Sequence, residues 1–99
     1  MSRALELAAR GAGETNPNPM VANAMYSRRV LRIFGDGFSR ESTIEVNGTL
    51  LTQSVAFSFA NAALEVKGSR QSLKLRKNAV NEIVIIERGV RSPVYQLPL

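Results

Sequence analysis

Residues 30–48 read VLRIFGDGFSRESTIEVNG, and this stretch decides the fold. In its first part Leu31 and Ile33 fall on one side of an extended chain with Arg32 between them; in its second, Ile44 and Val46 bracket Glu45. Such two-residue alternation marks a half-buried β-strand, because successive side chains leave the backbone on opposite faces. Between the two runs stand Gly35, Asp36 and Gly37, residue types that favour turns. The second run closes in Asn47-Gly48, the strongest short-range hairpin signal, since both central residues of a type I′ turn need positive φ.

The alternation continues on both sides. ALEVKG repeats it with Leu64 and Val66, SLKLRK with Leu73 and Leu75, and NEIVIIE with Ile83 and Ile85. MVANAMY, after Pro19, makes a first strand, and LTQSVAFSF gives Val55, Phe57 and Phe59 to one face. Breakers separate the runs at Gly68-Ser69, at Asn78 to Asn81, and at Gly89 and Pro93. About seven or eight short strands so spaced predict an all-β protein, a two-sheet antiparallel sandwich. Phe34 and Phe38, on either side of Gly35-Asp36-Gly37, are expected to plug one end of its core.

Composition bounds what such a chain can be. Ninety-nine residues make one small domain, large enough to bury a single core. No apolar run approaches the roughly 18 residues of a membrane-spanning helix, so no membrane insertion is expected. Glu6, Arg10 and Glu14 interrupt the apolar stretch that a secretory leader would carry. The formal charge is +5, and residues 1–27 are neutral, so the excess lies wholly in residues 28–99. Cysteine and histidine are both absent.

The amino-terminal part follows a different pattern. Residues 3–10 have the composition of a short helix, with Ser2 as N-cap and Gly11 and Gly13 ending it. The following ETNPNP places two prolines each after an asparagine, which enforces extended or turn geometry. Residues 1–21, MSRALELAARGAGETNPNPMV, resemble the opening of the bifunctional deaminase/reductase of riboflavin biosynthesis. That resemblance implies a substrate-lining loop; the residues alone also fit an N-terminal arm spanning residues 1–18, partly helical or without fixed structure. The zinc deaminases need a His and two Cys, or three Cys, around the metal. With neither residue type present the resemblance carries no activity, and the family's Gly after PNPMV is Ala22 here.

A second resemblance covers residues 19–99. VLRIFGDGFSRESTIEVNG is similar to the signature of the IPT/TIG family of immunoglobulin-like domains, in which a strand ending in Gly leads through a G-x-G-F turn into a strand closed by N-G. LKLRKNAVNEIVIIERGVRSPVYQLPL, residues 73–99, resembles the ending of that family. A typical member opens with a Pro-rich first strand and a Gly-Pro loop, whereas NPMVANAMYSRR is short and basic. The resemblance implies an immunoglobulin-like sandwich of about seven strands with a non-enzymatic role. It would be a structural, adhesive or protein-binding unit of a larger surface or secreted protein, or a dimerisation domain. Its partners would be proteins or neighbouring domains, and its location extracellular or at the cell surface.

The residues themselves offer little for catalysis. Without His or Cys there is no nucleophile–base set of the usual kinds, and no Gly-rich loop precedes a helix to cradle phosphate. Asp36 and Glu41 read as an acid/base pair or, more simply, as a turn residue and a solvated carboxylate. Glu41, Glu45, Glu82 and Glu87 lack metal-ligand spacing, so no cofactor and no small-molecule substrate are expected. Asn47-Gly48-Thr49 fits an N-glycosylation pattern, but its hairpin role already accounts for it. The most suggestive cluster is KGSRQSLKLRK, with Lys67, Arg70, Lys74, Arg76 and Lys77 and no acid among them. On a strand, Lys74 and Arg76 would point to solvent while Leu73 and Leu75 point inward, with Arg70 and Lys77 at the adjoining turns. The alternative function is therefore a basic polyanion- or nucleic-acid-binding domain using residues 67–77; the same charges also suit an edge strand guarded against aggregation. Aromatic faces for stacking are scarce, with Tyr26 and Tyr95 the two tyrosines and no Trp.

Overall fold

The computed structural model describes residues 18–99; the helix expected over residues 3–10 and the arm up to residue 17 lie outside them. Nine strand segments follow in order: β1 (Met20–Ser27), β2 (Val30–Asp36), β3 (Thr43–Val46), β4 (Thr49–Leu50), β5 (Val55–Ser58), β6 (Ala63–Lys67), β7 (Val80–Glu87), β8 (Val90–Arg91) and β9 (Tyr95–Pro98). There is no helix among the described residues. One sheet runs β1-β2-β6-β5 and the other β4-β3-β7-β8, with β9 also paired to β7, and every pairing is antiparallel. Ile83 pairs with both Val46 and Tyr95, and Ile86 with both Thr43 and Arg91. Hence β8 and β9 lie along one edge of β7 and β3 along the other.

Three of the connections are two-residue hairpins with both central residues left-handed. They are Arg28-Arg29 between Ser27 and Val30, Asn47-Gly48 between Val46 and Thr49, and Arg88-Gly89 between Glu87 and Val90. This turn class matches the right-handed twist of the strands it joins. The Asn47-Gly48 hairpin stands where the sequence places it.

The apolar faces of the two sheets share one core. Leu31, Ile33, Leu64 and Val66 from the first sheet and Ile44, Val46, Ile83, Ile85 and Leu97 from the second are all buried in the same cluster. These residues account for the alternation in the sequence: each occupies an inward position and its neighbours do not. Phe38 packs against this cluster, and its ring lies over Gly35, where a Cβ would run into the Met20 carbonyl oxygen and the Phe38 ring.

Four expectations are corrected. Residues 72–77 are not a strand: β6 ends at Lys67 and the chain turns until Val80, with Lys74 in the left-handed region at φ 62°. Leu73 and Leu75 are nevertheless buried and Lys74 and Arg76 exposed, because a turn can seat alternate residues as a strand does. Phe59 does not share the inward face of Val55 and Phe57; β5 ends at Ser58 and the ring is 88% exposed. Phe34 follows the inward-facing Ile33 and is half-buried outside the core cluster, leaving Phe38 alone to cap it. Asn81 is no breaker but the second residue of β7, fully buried.

Candidate functional site

The five cations expected to form a stripe lie at one end of the molecule, where β1, β3 and β6 finish and β2 and β7 begin. The chain from Gly68 to Ala79 crosses this end from one sheet to the other. Its backbone is built from serines and a capped turn. Ser69 Oγ accepts from the Ser72 N–H at 3.1 Å, an N-cap arrangement. The Lys74 N–H donates to the Gln71 carbonyl at 3.2 Å and the Leu75 N–H to the Arg70 carbonyl at 2.8 Å. That pair of bonds around a left-handed Lys74 is the pattern that usually ends helices at a glycine.

Two asparagines fix the far half of this loop. Asn81, buried at the start of β7, accepts on Oδ1 from the Arg76 N–H at 2.7 Å and from Asn47 Nδ2 at 2.9 Å, and donates from Nδ2 to the carbonyls of Arg76 at 3.0 Å and Ala79 at 3.2 Å. Asn47 also donates from Nδ2 to the Lys74 carbonyl at 2.8 Å and accepts on Oδ1 from the Glu82 N–H at 2.9 Å. A buried amide with no partner costs about 1–3 kcal/mol, so these bonds let Asn81 sit in the core while it holds Arg76 in place.

The near half is fixed by Tyr26. Its hydroxyl donates to the Gly68 carbonyl at 2.8 Å, and the Arg70 guanidinium lies over its ring, 5.5 Å from the centroid. The Gly68 N–H donates to the Arg29 carbonyl at 2.9 Å, tying the loop to the β1–β2 turn. Lys67 sits opposite Val30. Arg28, Arg29, Val30, Lys67 and Gly68 thus line one open concavity, with Arg70 beside it.

Of the expected residues, Lys67 and Arg70 are brought together with Arg28 and Arg29. Lys74, Arg76 and Lys77 occupy the other half of the loop, all exposed, with Glu82 near Arg76 in a second concavity. Reading the sequence as strands missed Arg28 and Arg29. The signal was present as adjacent arginines at a strand end, but only the β2–β6 pairing puts them next to Lys67. Among the described residues none of the seven forms an ion pair; the pairs run Arg32–Glu65 at 2.8 Å, Arg88–Glu41 at 3.2 Å, Arg88–Glu87 at 3.5 Å and Arg91–Glu45 at 2.7 Å.

The opposite end carries a separate polar cluster. Ser39 Oγ donates to Glu87 Oε2 at 2.7 Å, and the buried Ser42 hydroxyl donates to Glu87 Oε1. Ser42 Oγ also accepts from the Ser39 N–H at 2.9 Å, so the cluster closes the β2–β3 loop onto the end of β7. Glu87 thus takes both hydroxyls as donors and pairs with Arg88 at 3.5 Å. Asp36 and Glu41 are not brought together by any hydrogen bond among the described residues; Glu41 engages Arg88. No group of three or more potential metal ligands occurs among the described residues.

On the outer face of the second sheet Arg91 forks across Glu45 with bonds of 3.0 and 2.7 Å. The hydrogen bonds from Arg91, opposed by desolvation and helped by its charge, hold the Glu45 carboxyl below the usual carboxylate range. Comparison of the chain with protein-family models, with curated proteins and with solved structures finds no match.

Proposed function

We propose that residues 19–99 are an immunoglobulin-like sandwich of the IPT/TIG type, acting as a non-enzymatic structural or protein-binding unit of a larger surface or secreted protein. The observation that carries this reading is the strand order. β1-β2-β6-β5 against β4-β3-β7 with β8 and β9 corresponds to the arrangement in which the first, second, fifth and fourth strands of an immunoglobulin-type sandwich face the third, sixth and seventh, with β4 as an added edge. The sequence resemblance over residues 30–48 and 73–99 supports it independently. Support also comes from Phe38, which packs on the core, and from Asn47-Gly48, which forms the hairpin turn that an N-G element implies.

An antibody raised against residues 19–99 tests the functional half of this reading. On producing cells it should detect a band larger than 10.8 kDa, the mass of this chain, and protease added to intact cells should remove it. A band confined to the protected interior at the mass of the chain alone would overturn it.

A further inference from the structure

We propose that the Arg28-Arg29 turn, Lys67 and Arg70, flanked by Lys74, Arg76 and Lys77, form a contact site for the phosphate backbone of duplex nucleic acid. The site goes beyond the role as a structural unit and does not depend on it, since it occupies one end of the molecule and leaves the outer sheet faces to other partners.

Three observations carry it. First, seven of the eleven basic residues in 28–99 converge on one end, although they come from two separate stretches of sequence. The carboxylates of Glu41, Glu45, Glu65 and Glu87 are already paired elsewhere, with Arg88, Arg91 and Arg32. Convergence of cations that form no ion pair among the described residues, in a strongly basic chain, is the electrostatic footprint of a polyanion site.

Second, three of the cations, Arg28, Arg29 and Lys74, are held where the backbone disfavours them. The second position of the three sister hairpins is Gly48, Gly89 and Arg29, with Arg29 at φ 64°. Lys74, at φ 62°, likewise fills a loop position that glycine ordinarily takes. A non-glycine residue in the left-handed region is strained, and strain of this kind gathers where a side chain is needed for function.

Third, the arrangement selects among polyanions. The two arginines share a tight hairpin tip, and Arg70 is stacked on Tyr26, so their guanidinium groups start from fixed points on the fold. Guanidinium forks so anchored match phosphates at regular spacing on a stiff duplex better than a fluid lipid surface. Single strands are disfavoured because the stacking faces are occupied or distant. Tyr26 lies under Arg70, Tyr95 donates its hydroxyl to Asn23, and the exposed Phe59 follows β5 at the other end.

The test uses the full chain and a labelled duplex of about 20 base pairs, followed by fluorescence anisotropy across a salt series, with heparin and anionic vesicles as parallel probes. With about four phosphate contacts the affinity should fall with a log–log salt slope of about −3 to −4. R28N/R29G, which restores the preferred turn residues, should weaken binding at least tenfold and flatten the slope by about 2, while the melting temperature rises by about 4 °C. K67Q/R70Q should weaken binding comparably. R40Q/R88Q, which removes two charges from the opposite end, should stay within twofold of the parent. Equal losses in all three variants would reduce the effect to net charge and overturn the site. Absence of duplex binding at 50 mM salt would overturn it too, whether or not heparin or vesicles bind.

Discussion

Among the described residues, Asn81 makes more side-chain hydrogen bonds than any other polar residue. It joins the start of β7, the Asn47 turn and the loop that carries Arg76, all from a fully buried position. Replacing it with alanine takes the partner from the Arg76 N–H and from the Arg76 and Ala79 carbonyls and leaves Asn47 one of its two Nδ2 bonds, so N81A should lower the unfolding free energy by about 3 kcal/mol, read from urea titration. Glu45 makes a different prediction. Its folded pKa is lowered, so the Arg91 pair stabilises the protein above the ordinary carboxylate pKa of about 4.3 and that contribution is lost as pH falls through the folded value. The Glu45 side-chain carboxyl should titrate by NMR below the ordinary carboxylate value, and R91Q should move it back towards that value. Because the Arg91 side of the pair is more than half exposed, solvent screening should keep the effect on stability small.

At the scale of elements, glycine chemistry decides how strands meet. Gly35 lies against the β1 backbone at Met20 with the Phe38 ring on it, so G35A forces either β1 or Phe38 to move. Overpacking of this kind should cost about 1–3 kcal/mol, measurable as a lower urea midpoint with an unchanged slope. Gly48 and Gly89 stand in open space, and their need for glycine comes from φ 83° alone. The strands themselves were legible in the sequence wherever inward and outward positions alternate between two environments, as at Leu31/Ile33 and Ile83/Ile85. Residues 72–77 alternate just as well without being a strand. Leu73 and Leu75 are buried by a capped turn, and the pattern records burial rather than hydrogen bonding to a neighbour.

At the scale of the whole molecule, one core serves both sheets, and neither sheet can lose its inner face alone. I83A, in the centre of that core, should destabilise by about 3 kcal/mol. Hydrogen-exchange protection in β2 and β6 should fall together with that in β3 and β7 if the two sheets unfold in one transition. Loss confined to β3 and β7 would show two separable units. The distribution of charge also belongs to this scale: pairing and topology gather Arg28 and Arg29 to Lys67 across an interval of nearly forty residues.

The sequence by itself determined the all-β class, the positions of most strands, the Asn47-Gly48 hairpin and the inward residues, because these follow from local alternation and from the φ preferences of single residues. It also identified five of the seven clustered cations, since they are neighbours along the chain. Only the tertiary structure decided that residues 72–77 turn, that Asn81 is a buried anchor, and that Arg28 and Arg29 complete the basic end. The last two depend on which distant segment supplies a hydrogen-bond partner or a neighbouring charge, which no local pattern encodes; the turn is closed by bonds among residues 69–75, and the alternation of burial is the same for a strand and a turn.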